Sequence, residues 1–186
     1  EQVLEAMINA AGGEDIWLAA DFNQAFSPVV SIERARRLER FGLAWLEEPA
    51  RAEDNAGHAQ VRAGTSIPVQ TGENWWGIAD MQRSLDAGAS DHAMPDVMKI
   101  GGVTGWQDAA ALAHGQAMPV SSHLFTEISA HLMPATPTAH MLEVLDVASA
   151  ILTDPVAVSA DGTISPADRP GSGIEWNTAA IKKYLT

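Results

Sequence analysis

Six ionisable residues recur along this chain at nearly even spacing, each just past a short apolar run: Asp21, Glu47, Glu73, Asp96, His123 and Glu143, separated by 26, 26, 23, 27 and 20 residues. The first five runs are Ile16-Trp17-Leu18-Ala19-Ala20, Leu43-Ala44-Trp45-Leu46, Ile67-Pro68-Val69, Ala93-Met94 and Met118-Pro119-Val120, and Met141-Leu142 precedes Glu143. Runs of this length are too short for helices and suit buried strands. Between them lie helix-like segments ending at Gly12, Gly42, Gly64, Gly88 and Gly115, glycine being the residue that best tolerates the left-handed position after a helix C-terminus. Ser31 reads as the N-cap of one helix, with Ile32, Ala35 and Leu38 at helical spacing behind it, and Ile78, Met81 and Leu85 repeat the pattern.

Strands alternating with helices at this spacing call for a parallel sheet, either open and doubly wound or closed into a barrel. One ionisable group per unit at the same structural place fits a barrel, where strand ends converge on a single site; an open sheet would scatter them. The expected fold class is therefore α/β, a (β/α)8 TIM-type barrel. Residues 1–150 are expected to form the barrel portion. Residues 151–186 read as a separate C-terminal segment, because Asp154-Pro155, Asp161-Gly162 and Arg169-Pro170-Gly171 break the pattern before a short helix from Thr178 to Leu185.

The chain has 186 residues, the size of one domain, and 46% apolar composition supplies a sizeable core. A net charge of −13 and the lack of any basic stripe argue against nucleic acid as a partner. No stretch approaches the roughly 18 apolar residues of a membrane span, and Glu1-Gln2-Val3-Leu4-Glu5 lacks a basic n-region, so the expectation is no membrane partner and a cytoplasmic location. With no cysteine, any metal must be held by oxygen or imidazole.

Three carboxylates on successive strand ends, Asp21, Glu47 and Glu73, suit a hard cation that keeps open positions for water or substrate, and Mg²⁺ is the first expectation. A single acid at a strand end reads as a solvated loop charge; three in equal register do not. Asp96 and His123 fall on adjacent strands, so the carboxylate can hold one imidazole nitrogen and raise the basicity of the other, making His123 a general base. Glu143 would serve as a protonated acid, donating a hydrogen bond to charge developing on substrate. Asn23, two residues beyond Asp21, would face the same way and contact a substrate hydroxyl or carboxylate, unless it is simply a turn-forming Asn. Leu124 and Leu145, beside His123 and Glu143, would put apolar surface near the substrate.

Two other patterns are weaker. Gly101-Gly102-Val103-Thr104-Gly105 resembles a phosphate cradle but lacks the full dinucleotide pattern and the Lys-Ser/Thr of a P-loop, so a tight turn into a helix is expected. His123, Glu127 and His131 have the spacing of zinc ligands on one helical face, which the strand-end position of His123 opposes.

Several motifs carry a family resemblance: Asp21-Phe22-Asn23-Gln24, Trp45-Leu46-Glu47-Glu48-Pro49, Gly72-Glu73-Asn74-Trp75, Met94-Pro95-Asp96 with Lys99-Ile100-Gly101-Gly102, and Ser121-Ser122-His123-Leu124-Phe125. Glu127-Ile128-Ser129-Ala130-His131 and Ala135-Thr136-Pro137-Thr138-Ala139-His140 continue it. Together they resemble the mandelate racemase family of the enolase superfamily from about Asp15 to the C-terminus. The resemblance implies Mg²⁺ at Asp21, Glu47 and Glu73, picks Glu47 over Glu48, pairs Asp96 with His123 as base, and sets Glu143 against the substrate carboxylate. It implies a symmetric octamer. It also implies that strands 3 to 8 of the barrel are present, while a Lys-x-Lys strand and an N-terminal capping domain are not. Six strands cannot close a barrel, so a truncated chain is expected.

The implied activity is abstraction of the proton beside a carboxylate through an enediolate, with racemisation of a mandelate-like 2-hydroxy acid as the leading reading. An acid-sugar dehydratase shares every residue considered. A non-catalytic carboxylate-binding module is the reading from another class.

Overall fold

Four short strands, Ala20–Asp21 (β1), Leu46–Glu47 (β2), Val69–Thr71 (β3) and His92–Ala93 (β4), form one parallel sheet in the order β1-β2-β3-β4. Each pairs with the next in the chain: Asp21 lies opposite Glu47, Glu47 opposite Gln70, and Thr71 opposite Ala93. The order never reverses, which is how a barrel is wound; a doubly wound sheet reverses at a switch point. The computed structural model describes residues 1–11 and 16–185. These fall into two compact units, Glu1–Ala93 and Met94–Thr186, taken separately below.

In the first unit the helices Gln2–Ala10 (α1), Pro28–Leu38 (α2), Asn55–Gly64 (α3) and Ile78–Asp86 (α4) alternate with the strands. The ladders start later than the apolar runs suggest. In the first run the ladder pairs Ala20, the Leu18 carbonyl accepts the Ala44 amide at 2.7 Å, and Ile16 and Trp17, ahead of both, are exposed rather than buried. Leu46, fully buried, sits between Ala20 and Val69 in register and joins Phe22, Ala35, Leu43 and Ile67 in the core.

α2 begins earlier than expected: Ser27 is the N-cap and Pro28 occupies the first turn, where its missing N–H costs nothing. Ser31 is buried inside the helix instead, its hydroxyl donating to the Pro49 carbonyl. Asp54 caps α3 through the Gly57 amide at 2.8 Å. Met81 and Leu85 of α4 are buried as their spacing predicts.

Gly42 and Gly88 take the left-handed helix ends foreseen for them, each at φ +62°. Gly64 and Gly115 do not: each is the last residue of its helix, and Ala117 (φ +52°) carries the left-handed turn in the latter case. Gly12 lies outside the described residues.

In the second unit three extended segments run side by side and parallel, again in chain order, through the bridges Asp96 to His123 and Val120 to Ala139. The Gly101–Gly105 segment is the expected tight turn into helix Gly102–Gly115 (α5), where a Cβ on Gly105 would meet the Ile100 carbonyl oxygen at 2.1 Å. Trp106 of α5 is buried and donates its indole N–H to Thr136 Oγ1 at 2.9 Å. Helix Thr126–Leu132 (α6) carries Glu127 and His131 but not His123, so the zinc spacing has no common helix behind it. Towards the C-terminus, Leu152 bridges antiparallel to Trp176, and helix Thr178–Ile181 (α7) ends four residues before the expected Leu185.

Candidate active site

The first unit brings Asp21 and Glu47 together directly, as in-register neighbours on β1 and β2. Glu73 follows β3 by two residues. Glu47 is half-buried, with its Oε2 accepting from the Trp45 indole N–H at 3.1 Å and the Gln70 amide at 3.2 Å. Burial, reinforced by the negative charges of Asp21 and Glu73, pushes the Glu47 carboxyl up to about 7 against those two hydrogen bonds. Glu47 therefore lies within the field of both other expected ligands.

Their side chains are nonetheless turned to local donors. Asp21 accepts the Asn23 amide at 2.6 Å and its side-chain amide at 3.3 Å, and Glu73 accepts from Asn74 Nδ2 at 3.0 Å. Among the described residues no three His, Asp or Glu side chains are arranged as a ready metal cage. Three carboxylates at or just past adjacent strand ends are nonetheless the kind of oxygen donors that a hard cation takes.

Asn23 departs from its expected place. It has φ +43°, off the strand in a left-handed turn, so the two-residue strand period does not apply and its amide serves Asp21. Asn tolerates this backbone because its short side chain bonds locally.

The second unit joins Asp96 and His123 as a strand bridge, with His123 Nδ1 at 2.8 Å from Asp96 Oδ2. The Asp96 side chain is 2% exposed and that of His123 13%. Burial alone would raise the Asp96 carboxyl. The His123 hydrogen bond and the amides of Lys99 and Met98 on Oδ1 outweigh it and hold the group below the usual carboxylate range. An ionised carboxylate can only accept, so the proton in this hydrogen bond sits on Nδ1, and in the neutral ring Nε2 is the basic nitrogen.

Glu143 is locked to the chain beyond His123. Its Oε2 accepts the Leu124 amide at 2.5 Å, its own amide donates to Ser122 Oγ at 3.0 Å, and its carbonyl accepts from the Thr126 hydroxyl at 2.9 Å. Leu124 and Phe125 are both left-handed (φ +47° and +45°), a turn that spacing alone does not reveal. Leu124 is half-buried and Leu145 is 55% exposed.

Sequence spacing missed Trp45, Gln70, Gln24, Glu48 and Asn74, all of which hydrogen-bond within this constellation. Trp45 had a findable signal, two residues before Glu47 on the same strand face. Gln70 had none, since only the ladder register brings it opposite Glu47.

A parallel sheet wound in chain order, with acids at its strand ends, is the winding of a barrel-type α/β domain. The sequence pattern described as enolase C-terminal domain-like matches residues 1–180, and the chain belongs to that family, a TIM-barrel-type domain of the enolase superfamily. An enolase from Bradyrhizobium complexed with magnesium and mandelic acid superposes with a TM-score of 0.93 at 47% identity, covering 97% of this chain and 49% of that one. The L-talarate/galactarate dehydratase of Salmonella typhimurium is 30% identical over 173 residues, which is 93% of this chain and 43% of the dehydratase. The 3,6-anhydro-alpha-L-galactonate cycloisomerase of Streptomyces coelicolor is 32% identical over 163 residues, 87% of this chain and 45% of the cycloisomerase. The chain thus spans about half the length of these relatives. Among the described residues, no helix is long and apolar enough to cross a membrane.

Proposed function

We propose that the protein removes the proton beside a substrate carboxylate, with His123 as the base, and that the outcome is racemisation of a 2-hydroxy acid of the mandelate type. The observation that carries this reading is the 2.8 Å hydrogen bond between buried Asp96 and His123 Nδ1, which makes Nε2 the proton acceptor. The α-proton passes to Nε2, and the electron pair of the broken C–H bond moves into the carboxylate, giving an enediolate. Return of a proton to the opposite face from a second acid–base group, the role the family resemblance gives to the Lys-x-Lys strand, inverts the centre.

In this reading Asp21, Glu47 and Glu73 hold Mg²⁺, supported by the in-register pairing of the first two and by the influence of Asp21 and Glu73 on the buried Glu47 carboxyl. A bound divalent cation supplies positive charge that lowers the energy of the developing dianion. Glu143, held by the Leu124 amide and by Ser122 and Thr126, is the group we assign to the substrate carboxylate. Leu124 and Leu145 flank the substrate's apolar portion, and Asn23 acts through Asp21. The mandelic acid bound by the Bradyrhizobium relative supports this substrate class.

A second reading, acid-sugar dehydration, is favoured by the likeness to the talarate/galactarate dehydratase. There the same abstraction is followed by loss of the β-hydroxyl, with His123 returning its proton to the leaving oxygen. The test is incubation with Mg²⁺ and 2-hydroxy acids in D2O. Exchange of the α-proton without loss of water, abolished by His123→Asn, is expected. A 2-keto-3-deoxy product from a sugar acid selects the dehydratase, and exchange undiminished in His123→Asn refutes the assignment of the base.

A further inference from the structure

We infer that Glu48 is a positioning residue whose carboxylate ties together the three loops bearing the proposed metal ligands. The inference rests on reading Asp21, Glu47 and Glu73 as those ligands. Glu48 is 2% exposed and has φ +40°, a backbone state costly for any residue with a Cβ. Its amide donates to the Gln70 carbonyl at 3.2 Å, and its own carbonyl accepts the Gln24 amide at 3.0 Å. The backbone is therefore pinned on both sides while the side chain is carried inward.

Each carboxylate oxygen has a different partner loop. Oε2 accepts from Gln24 Nε2 at 2.9 Å, on the loop after β1, and Gln24 Oε1 in turn accepts the Ala52 amide at 2.9 Å. Oε1 accepts from Asn74 Nδ2 at 2.8 Å, on the loop after β3. The same Nδ2 reaches Glu73 Oε1 at 3.0 Å, so the amide that Glu48 orients also orients Glu73. Asp21 lies three residues before Gln24, and Glu47 immediately before Glu48. One buried carboxylate thus spans the supports of all three ligands. Both of its oxygens are committed to amides, whereas the Trp45 and Gln70 donors at Glu47 share one oxygen, Oε2.

A buried carboxylate is costly unless hydrogen-bonded, and an apolar residue would fill the same space more cheaply. Loss of such an outer support is expected to weaken metal affinity by roughly 10- to 100-fold. The probe is Mn²⁺ titrated into the purified protein and followed by electron paramagnetic resonance. Glu48→Gln puts an amide NH2 against the NH2 of Gln24 or Asn74 and should reduce affinity by that range, with a broadened spectrum of the bound ion. The double exchange Gln24→Glu with Glu48→Gln restores a donor opposite an acceptor and keeps the charge, so affinity should return to within about threefold of wild type, given that the support acts through orientation.

Affinity of Glu48→Gln within about twofold of wild type, or no recovery in the double exchange, overturns the inference. A wild-type protein that takes up no Mn²⁺, or a Glu47→Gln variant that binds it as tightly as wild type, overturns the ligand reading instead. Should Glu48→Gln fail to fold by circular dichroism, Gln24→Ala and Asn74→Ala each cut one arm; weakened binding in both supports the tie, and wild-type binding in both refutes it.

Discussion

Replacing Asp96 by asparagine should disable the base without removing it. Asparagine has the same shape as aspartate, but one oxygen becomes an NH2, and the structure decides which. Asp96 Oδ1 accepts two backbone amides, Met98 at 2.7 Å and Lys99 at 3.1 Å, while Oδ2 meets His123 Nδ1 at 2.8 Å. Turning the NH2 towards Met98 and Lys99 would leave two donors facing a donor, at about 1–3 kcal/mol each, or roughly 2–6 kcal/mol together. The oxygen therefore stays under the amides and the NH2 faces the imidazole. Nδ1 must then accept, which moves the ring proton to Nε2 and removes the lone pair that would take the substrate proton. General-base catalysis contributes about 10²–10⁴-fold, so α-proton exchange should fall by that factor, equivalent to about 3–5 kcal/mol of barrier. The assay is the rate of deuterium uptake, paired with ¹⁵N NMR of the His123 ring to read the tautomer. An Asp96→Asn variant that exchanges at the wild-type rate, or that keeps its proton on Nδ1, would refute this reasoning.

The same carboxylate implies a pH dependence of stability. Its folded pKa lies below the ordinary value of 3.8, so its contribution is fully present above that value and is lost as pH falls through it towards the folded pKa. In urea unfolding, the stability difference between wild type and Asp96→Asn should shrink as pH is lowered below about 4; a difference that grows on that acidification contradicts the sign. Leu46→Ala empties a fully buried position between Ala20 and Val69 and should cost about 2–5 kcal/mol, read as a lower urea midpoint at unchanged slope; a loss under about 1 kcal/mol would mean the sheet does not pack around it.

The candidate residues were legible as strand-end positions because barrel winding imposes a period on the chain. Each βα unit must bury a short apolar run and then deliver a strand end, so Asp21, Glu47, Glu73, Asp96 and His123 could be located by counting. The motifs around them carried the family. The adjacency of Asp96 and His123 followed from the same count, because neighbouring units in such a winding are neighbours in space.

What counting could not supply was direction. Glu47 and Glu48 are chemically identical neighbours, yet one lies in the ladder beside Asp21 and the other, at φ +40°, is buried between Gln24 and Asn74. Asn23 left the strand for a left-handed turn, and Leu124 and Phe125 bent the chain so that an amide met Glu143. Composition and period are properties of the chain itself, so apolar spacing and the placement of acids were already decided there. Which way Glu47, Glu48 and Glu143 face depends on donors brought from residues 19 to 26 positions away, and tertiary structure alone decides that.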